Sequence, residues 1–300
     1  MATSVMTKLL QAVSVACLTV LSSWGAFAAV NDVLPADYFP LTTGTSTVAV
    51  YGYERKASGY YAQNRKQADG ELNTEILALR VGHFFELAGQ PVSVIAVLPW
   101  AKAGVEPAGL ATVFGKDSSG MGDLRLGATG WLFSNRNSGQ YLGVTAMVSL
   151  PTGDYERAQI LNIGENRYKA TLSVGWIQPV GNSLNLEITP ELAWFGENSD
   201  YMNGNKLEQK VSYALTGYLR YRLTPNWQIH TGGQLNYGGE TRINGAGKND
   251  APDNSRIMLG TTYNSDNRKH QWIVRVAKDM EIKNGFKTDA EFLARYLWMF

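Results

Sequence analysis

Cysteine is nearly absent, since Cys17 is the only one in 300 residues. It falls in an N-terminal stretch with the marks of a removable segment, so disulfides and thiolate chemistry are excluded for everything after it. Histidine is scarce as well, with only His83, His230 and His270, and none of them stands at metal-ligand spacing. Phosphate loops and dinucleotide fingerprints are missing too, and the isolated Gly120-Met121-Gly122-Asp123 reads as a turn into a strand. No cofactor and no metal are therefore expected. Neither sign of charge dominates, because 27 Lys plus Arg face 26 Asp plus Glu. That balance leaves no electrostatic footprint for a nucleic acid partner. Beyond Trp24 no apolar run approaches the length of about eighteen residues that a helical membrane span requires.

Aromatic residues, in contrast, are plentiful, with 8 Trp, 15 Tyr and 10 Phe beside 31 Gly. The hydrophobic residues are spread in alternation with polar ones, as expected of a wall that is apolar on one side and polar on the other. Lys8 is the only charge before Asn31, an apolar run from Leu9 to Trp24 follows, and Ala26-Phe27-Ala28 offers the small residues of a cleavage site. Residues 1–28 are accordingly expected to be a signal peptide. Residues 29–44 are read as a periplasmic or lumen-entering segment, and 45–300 as an outer-membrane β-barrel.

Period-two stretches predict about twelve strands. They lie near 46–55, 72–87, 91–99, 121–133, 140–150, 168–178, 184–195, 207–223, 227–237, 255–264, 271–279 and 290–300. The last carries Phe292, Ala294, Tyr296, Trp298 and Phe300 on one face. A terminal strand of this composition needs burial, which a soluble sandwich or a closed barrel in lipid could supply. Connection lengths separate the two. Odd-to-even connections such as 56–71, 100–120, 151–167, 196–206, 238–254 and 280–289 are long, whereas even-to-odd ones such as 88–90, 179–183 and 224–226 are short. Long outer loops alternating with short periplasmic turns are the pattern of an up-and-down antiparallel transmembrane barrel. Outer-membrane lipid is then one partner, and the strand ending at Phe300 resembles the signal read by the outer-membrane assembly machinery.

Charge at mid-bilayer on the lipid face costs roughly 2–4 kcal/mol, so the charge-free phase of each strand must face outward. The opposite phase places Arg80, Asp123, Arg125, Glu187, Glu191, Lys210, Arg220, Arg222, His230, Arg256, Arg275 and Arg295 in the lumen. Both signs occur, which predicts a lattice of cross-strand pairs as well as candidate selectivity groups. Trp131, Met147, Tyr218, Met258 and Leu293 share this inward phase, and the mixture suits small amphipathic or aromatic solutes. Twelve strands lie between barrels filled by their own side chains and open pores of sixteen to eighteen. As for catalysis, Glu187 and Glu191 stand four apart on one face, about 13 Å by strand rise, too far for a glycosidase pair. No nucleophile cluster surrounds His230 in the pattern, so no catalytic residue is assigned.

The segment Ala36-Asp37-Tyr38-Phe39-Pro40, the stretch GMGDLRLGATGWLF at 120–133 and SLPTGDYERAQILNIGENRYKATLSVGW at 149–176 resemble the outer-membrane proteins associated with the meta pathway of phenol degradation. The likeness runs from about Ala36 to the C-terminus. Its most specific part, with Asp154, Tyr155, Asn162, Gly164 and Asn166, suggests an outer loop of fixed shape folded toward the pore mouth. The resemblance implies passive uptake of small hydrophobic or aromatic compounds, with no catalytic residues to carry over. A plugged barrel serving the envelope or adhesion, and a barrel-embedded hydrolase, are the alternative readings.

Overall fold

The computed structural model describes residues 33–106, 114 and 117–300. The expected signal peptide lies outside these residues. Among the described residues seventeen strands run in order: β1 (Ser46–Ala62), β2 (Arg65–Leu87), β3 (Gln90–Glu106), β4 (Ser118–Met121), β5 (Arg125–Asn135), β6 (Gln140–Ser149), β7 (Lys169–Val180), β8 (Leu184–Phe195), β9 (Asn198–Tyr201), β10 (Asn205–Gln209), β11 (Ser212–Arg222), β12 (Trp227–Gly238), β13 (Thr241–Ile243), β14 (Ala246–Gly247), β15 (Asp253–Asn264), β16 (His270–Glu281) and β17 (Gly285–Met299). Twelve of them form a closed antiparallel barrel, because β1 pairs with both β2 and β17 and the order runs on through β16, β15, β12, β11, β8, β7, β6, β5 and β3 back to β2. β4 lies against the outer end of β3, and β9, β10, β13 and β14 form a separate small sheet.

The aromatic terminal stripe is the closing seam. Val48 opposes Trp298, Val50 opposes Tyr296, and Glu54 opposes Phe292. The last rung is completed where Ser46 N donates to the Phe300 carbonyl at 2.8 Å and Phe300 N donates back at 3.0 Å. Closure satisfies the backbone polar groups that lipid could not. On the outside, Leu77, Leu79, Val81, Leu259, Val276 and Phe292 are exposed to lipid. Glu54 and Lys56 on the same phase mark the outer edge of the hydrocarbon band, since charge there must reach water. At the other edge Trp227, Tyr263, Trp272 and Tyr296 run ring to ring at 4.8, 5.6 and 5.4 Å, an interfacial girdle on the side of the short turns.

Three expectations are corrected. Residues 56–71 and 280–289 are not loops, because β1, β2, β16 and β17 continue past the membrane edge. Gln63 and Asn64 both take positive φ (51° and 63°), which closes β1 onto β2 in two residues. The expected strand 207–223 is broken, with β10 ending at Gln209 and β11 starting at Ser212. Its partner strand ends in Gly238 and Gly239 with φ of 78° and 70°, and this bend swings both chains out of the ladder. Likewise 121–133 is divided, since β4 stops at Met121 and β5 starts at Arg125.

Candidate functional site: the barrel lumen

The chain enters the barrel before it builds it. Around Ala36, at φ 67°, residues 33–39 make a tight turn in which Leu34 N donates to Asp37 Oδ2 and Phe39 N to the Ala36 carbonyl. Partners on six staves hold this turn in the lumen. Ala36 N donates to Glu187 Oε2 at 2.8 Å, Tyr218 Oη to the Val33 carbonyl at 3.2 Å, and Trp131 Nε1 to the Tyr38 carbonyl at 2.8 Å. Asp37 takes Arg295 Nη1 at 2.6 Å and lies 3.7 Å from Arg80. Tyr38 lies over Gly175, where a Cβ would sit 2.0 Å from the ring, so only glycine leaves room for it.

A second intrusion comes from the outer end. The Asp123 carboxylate accepts Gly153 N at 2.9 Å and Glu165 N at 3.0 Å, gripping the connection 150–168 near both of its ends. Asp154 N donates to the Met121 carbonyl, Met121 N to Asp154 Oδ2, and Gly164 N to the Asp154 carbonyl. Backbone meets backbone here, since a Cβ on Gly164 would lie 2.8 Å from the Gly153 carbonyl carbon. Asn162 accepts Glu156 N and donates to the Glu156 and Gln159 carbonyls, while Asn166 donates to Asn198, which donates to Tyr155 Oη. The glycines and amides of the sequence motif thus fold the loop inward. Its Leu161 and Ile163 are buried, and Ile163 and Leu34 join one apolar cluster, so loop and N-terminal segment converge inside the barrel.

The lumen has two unlike sides. On β5 to β11 it is ionic. Arg220 Nε donates to Glu187 at 2.6 Å, Ser173 Oγ donates to Glu191 at 3.1 Å, and Arg167 binds Glu165 at 2.8 Å with its guanidinium 4.6 Å from the Phe195 ring centroid. Arg125 is buried beside Asp123 and Glu165. Burial alone would raise the Glu165 carboxyl, yet the Arg167, Lys169 and Arg125 charges hold it at about 2. On β1 to β3 and β17 apolar side chains dominate, interrupted by Arg55, Arg80, Glu291 and Arg295. Tyr60, Phe114 and Phe286 lie within 5.4 to 5.6 Å of one another at the outer end, Tyr53, Ile76, Ile273 and Leu293 follow, and Phe84 and Trp131 close the series below. A cavity of about 70 Å³ remains beside Asp37, Tyr38, Arg80, Thr145 and Glu191, where the two sides meet.

Where β15 and β16 meet β17 and β1, Glu291 takes three guanidiniums, Arg55 and Arg256 at Oε2 and Arg275 at Oε1, and Arg256 also binds Asp279 at 2.9 Å. The wall changes at this level. The β16 to β17 ladder ends at the Ala277–Glu291 pair, and Thr288 N donates to the Asp279 side chain instead of to β16 backbone. Register also slips at Ser255/Arg256 and at Lys56/Ala57 on the flanking ladders. A cavity of about 630 Å³ opens in the wall there, bounded by Met258 and Ala277 on the inner phase and by Ile257, Leu259, Val276 and Phe292 on the lipid phase.

Of the residues assigned to the lumen from sequence, Arg80, Asp123, Arg125, Glu187, Glu191, Arg220, His230, Arg256, Arg275 and Arg295 lie there. Lys210 does not. The break at Gly238-Gly239 carries it outside, where it is exposed and bound to Glu240 at 2.6 Å. Arg222 keeps the inward phase but sits exposed at the periplasmic rim beside the Asn182 carbonyl. His230 is buried against Gly260 and edge-on to Tyr218 at 5.9 Å, with no hydroxyl or carboxylate partner among the described residues. Sequence reasoning left out Arg55, Glu165, Arg167 and Lys169. Alternation past residue 55 and the Glu-Asn-Arg-Tyr-Lys run were the available signals.

The family described as "Putative MetA-pathway of phenol degradation" matches residues 39–293. An outer membrane channel of the COG4313 group from Pseudomonas putida F1 superposes with a TM-score of 0.85 at 27% identity, over 90% of this chain and 100% of that one. The translocator domain of the autotransporter NalP from Neisseria meningitidis (TM-score 0.54, 9% identity, 94% and 99% covered) and the transport unit of AIDA-I from Escherichia coli (0.51, 9%, 91% and 95%) share the fold alone. No curated protein matches the chain.

Proposed function

Since the chain belongs to this phenol-degradation family and its barrel lies in the bacterial outer membrane, we propose that it is a passive channel for small hydrophobic and aromatic molecules. The observation that carries this reading is the pair of apolar clusters on one lumen side, Tyr60, Phe114 and Phe286 above and Tyr53 and Leu293 below, parted by the Arg55–Glu291 rung. A sugar or an inorganic ion gains nothing from such a surface, whereas an aromatic solute exchanges water for ring contacts along it. The opposite ionic side keeps the passage wettable and fixes the barrel's register.

Residues 33–39 stand in the periplasmic half of the lumen, so on this reading a solute that enters from outside displaces that segment or leaves through the wall. The ladder end at Ala277–Glu291, with its cavity of about 630 Å³ reaching the lipid phase, supplies the sideways route. The relation of the N-terminal segment to transport belongs to this proposal, as does recognition of the Phe300 strand by the assembly machinery. Cells with an intact lipopolysaccharide layer provide the test, because that layer excludes hydrophobic probes. N-phenyl-1-naphthylamine should enter faster in cells carrying the protein than in cells with an empty vector, while proteoliposomes should swell slowly in sucrose. Equal rates for the dye would overturn the channel, and fast sucrose swelling would make it a general pore.

A further inference from the structure

We infer that the wall cavity beside the β16 to β17 ladder end is a docking site for an outer-leaflet lipid, the lipid A of lipopolysaccharide, with one phosphate between Lys56 and Lys278 and an acyl chain against Leu259, Val276 and Phe292. The inference goes beyond the channel reading, since the site holds whether or not any solute crosses the wall. Two neighbouring rows of outward side chains build it. In the upper row Lys56 opposes Ala290, and Lys278 follows the Ala277–Glu291 pair that ends the ladder, so the two lysines flank Ala290 from either side. In the row below, Leu259 opposes Val276, Val276 opposes Phe292 and Phe292 opposes Glu54. All of these line the cavity of about 630 Å³, within the range of roughly 300–1,000 Å³ usual for ligand sites.

Level and chemistry choose the occupant. Along β16, Trp272 belongs to the girdle on the side of the short turns, and Lys278 stands roughly 20 Å further out by strand rise, which puts both lysines in the outer leaflet. In a bacterial outer membrane that leaflet is lipopolysaccharide. The apolar row opens to hydrocarbon, where acyl chains are the most concentrated species, so mass action fills it with one. At the mouth both cations are accessible. Lys56 meets Glu54 only at 3.7 Å, with 68% and 60% of the side chains exposed, and Lys278 is exposed with no ion pair among the described residues. Lysine binds phosphate as a point charge, and the small Ala290 leaves the space between the two open. Glu54 and Asp289, the latter bulged out of the β1 to β17 ladder, also line the mouth and would repel a bare anion. Lipid A phosphates bring divalent cations with them, and a hard cation takes carboxylate and phosphate oxygens together. Both signs at the mouth therefore fit a phosphate with its counter-ion better than the lone carboxylate of a fatty acid.

The experiment is native mass spectrometry of the full barrel in detergent with Mg²⁺, titrated with diphosphoryl lipid A, phosphatidylethanolamine and, separately, oleate. Wild type should hold one lipid A about tenfold or more tightly than phosphatidylethanolamine, the scale of one charge-assisted contact. Lys56→Gln and Lys278→Gln should each remove most of that preference, and EDTA should weaken lipid A severalfold. Lys102→Gln, in the row of Glu54 but outside the cavity, should bind as wild type does. Ala290→Phe should exclude all three lipids by filling the floor. If that variant fails to fold, the lysine variants, both at exposed positions, decide alone. Lipid A bound no more tightly than phosphatidylethanolamine, a loss at Lys102→Gln equal to that at Lys56→Gln, or indifference to EDTA would overturn the site. Oleate bound as tightly as lipid A would overturn the choice of lipid. A barrel that holds lipid A yet admits no dye keeps the site and loses the channel.

Discussion

At the scale of single residues, the glycines of the 120–164 motif act through what they leave empty. Gly153 lies with its Cβ direction 2.7 Å from the Gly122 carbonyl carbon, and Gly164 faces Gly153 in the same way. The obstructing atoms are backbone, which cannot step aside as a flexible side chain would. Gly164→Ala should therefore force the 150–168 loop out of the lumen at a cost of about 1–3 kcal/mol. Single-channel conductance should rise severalfold, and the loop should become a protease site in intact cells. Unchanged conductance would show that the loop does not limit the passage. Glu165 adds a pH dependence to the same loop. Its carboxyl is held at about 2, below the ordinary 4.5, so its anchoring is fully present above 4.5 and is lost as pH falls from there toward 2. Conductance recorded between pH 6 and pH 3 should start to rise below about 4.5 as the loop loosens, and Glu165→Gln should show the raised conductance already at pH 6.

At the scale of elements, the N-terminal segment is held by ion pairs as well as by its own packing. Asp37 binds Arg295 at 2.6 Å and lies near Arg80, while Leu34 and Tyr38 supply the buried apolar surface. Breaking a largely buried pair costs about 3 kcal/mol, enough to compete with the burial of one or two such side chains. Asp37→Ala should thus release residues 33–41 from the lumen without unfolding the barrel. Spin labels at position 36 should gain mobility while heat-modifiable migration on gels stays as in wild type. A label that remains immobile would show that the Glu187 and Trp131 contacts hold the segment unaided. Strand existence and phase were legible in the sequence, because one face of each stave meets lipid and the other water. Strand ends were not. The extension of β1, β2, β16 and β17 beyond the membrane follows from turns of two and three residues and from the apolar cluster around Tyr60, Phe114 and Leu161, which only assembled strands create.

At the scale of the molecule, the wall is strongest where the ladders are complete and weakest between β16 and β17 beyond Ala277–Glu291. The lack of cysteine after Cys17 makes that weakness accessible to a clean test. Lys278→Cys combined with Ala290→Cys places one thiol on each side of the gap, and a short reducible cross-linker should join them. Linked protein should lose uptake of the hydrophobic dye while small-ion conductance persists, and reduction should restore uptake. Dye uptake indifferent to the link would remove the sideways route and leave displacement of residues 33–41 as the alternative.

The sequence by itself determined the barrel, its lipid face and most of the polar residues inside it, because period-two alternation and the cost of charge in hydrocarbon act locally on each strand. It also carried the family resemblance. Only the tertiary structure decided that Lys210 stands outside, that the loop and the N-terminal segment meet inside, and that three arginines gather on Glu291. Those outcomes depend on partners such as Asp37 and Arg295, 258 positions apart, and no local pattern encodes a contact that exists only once the barrel has closed.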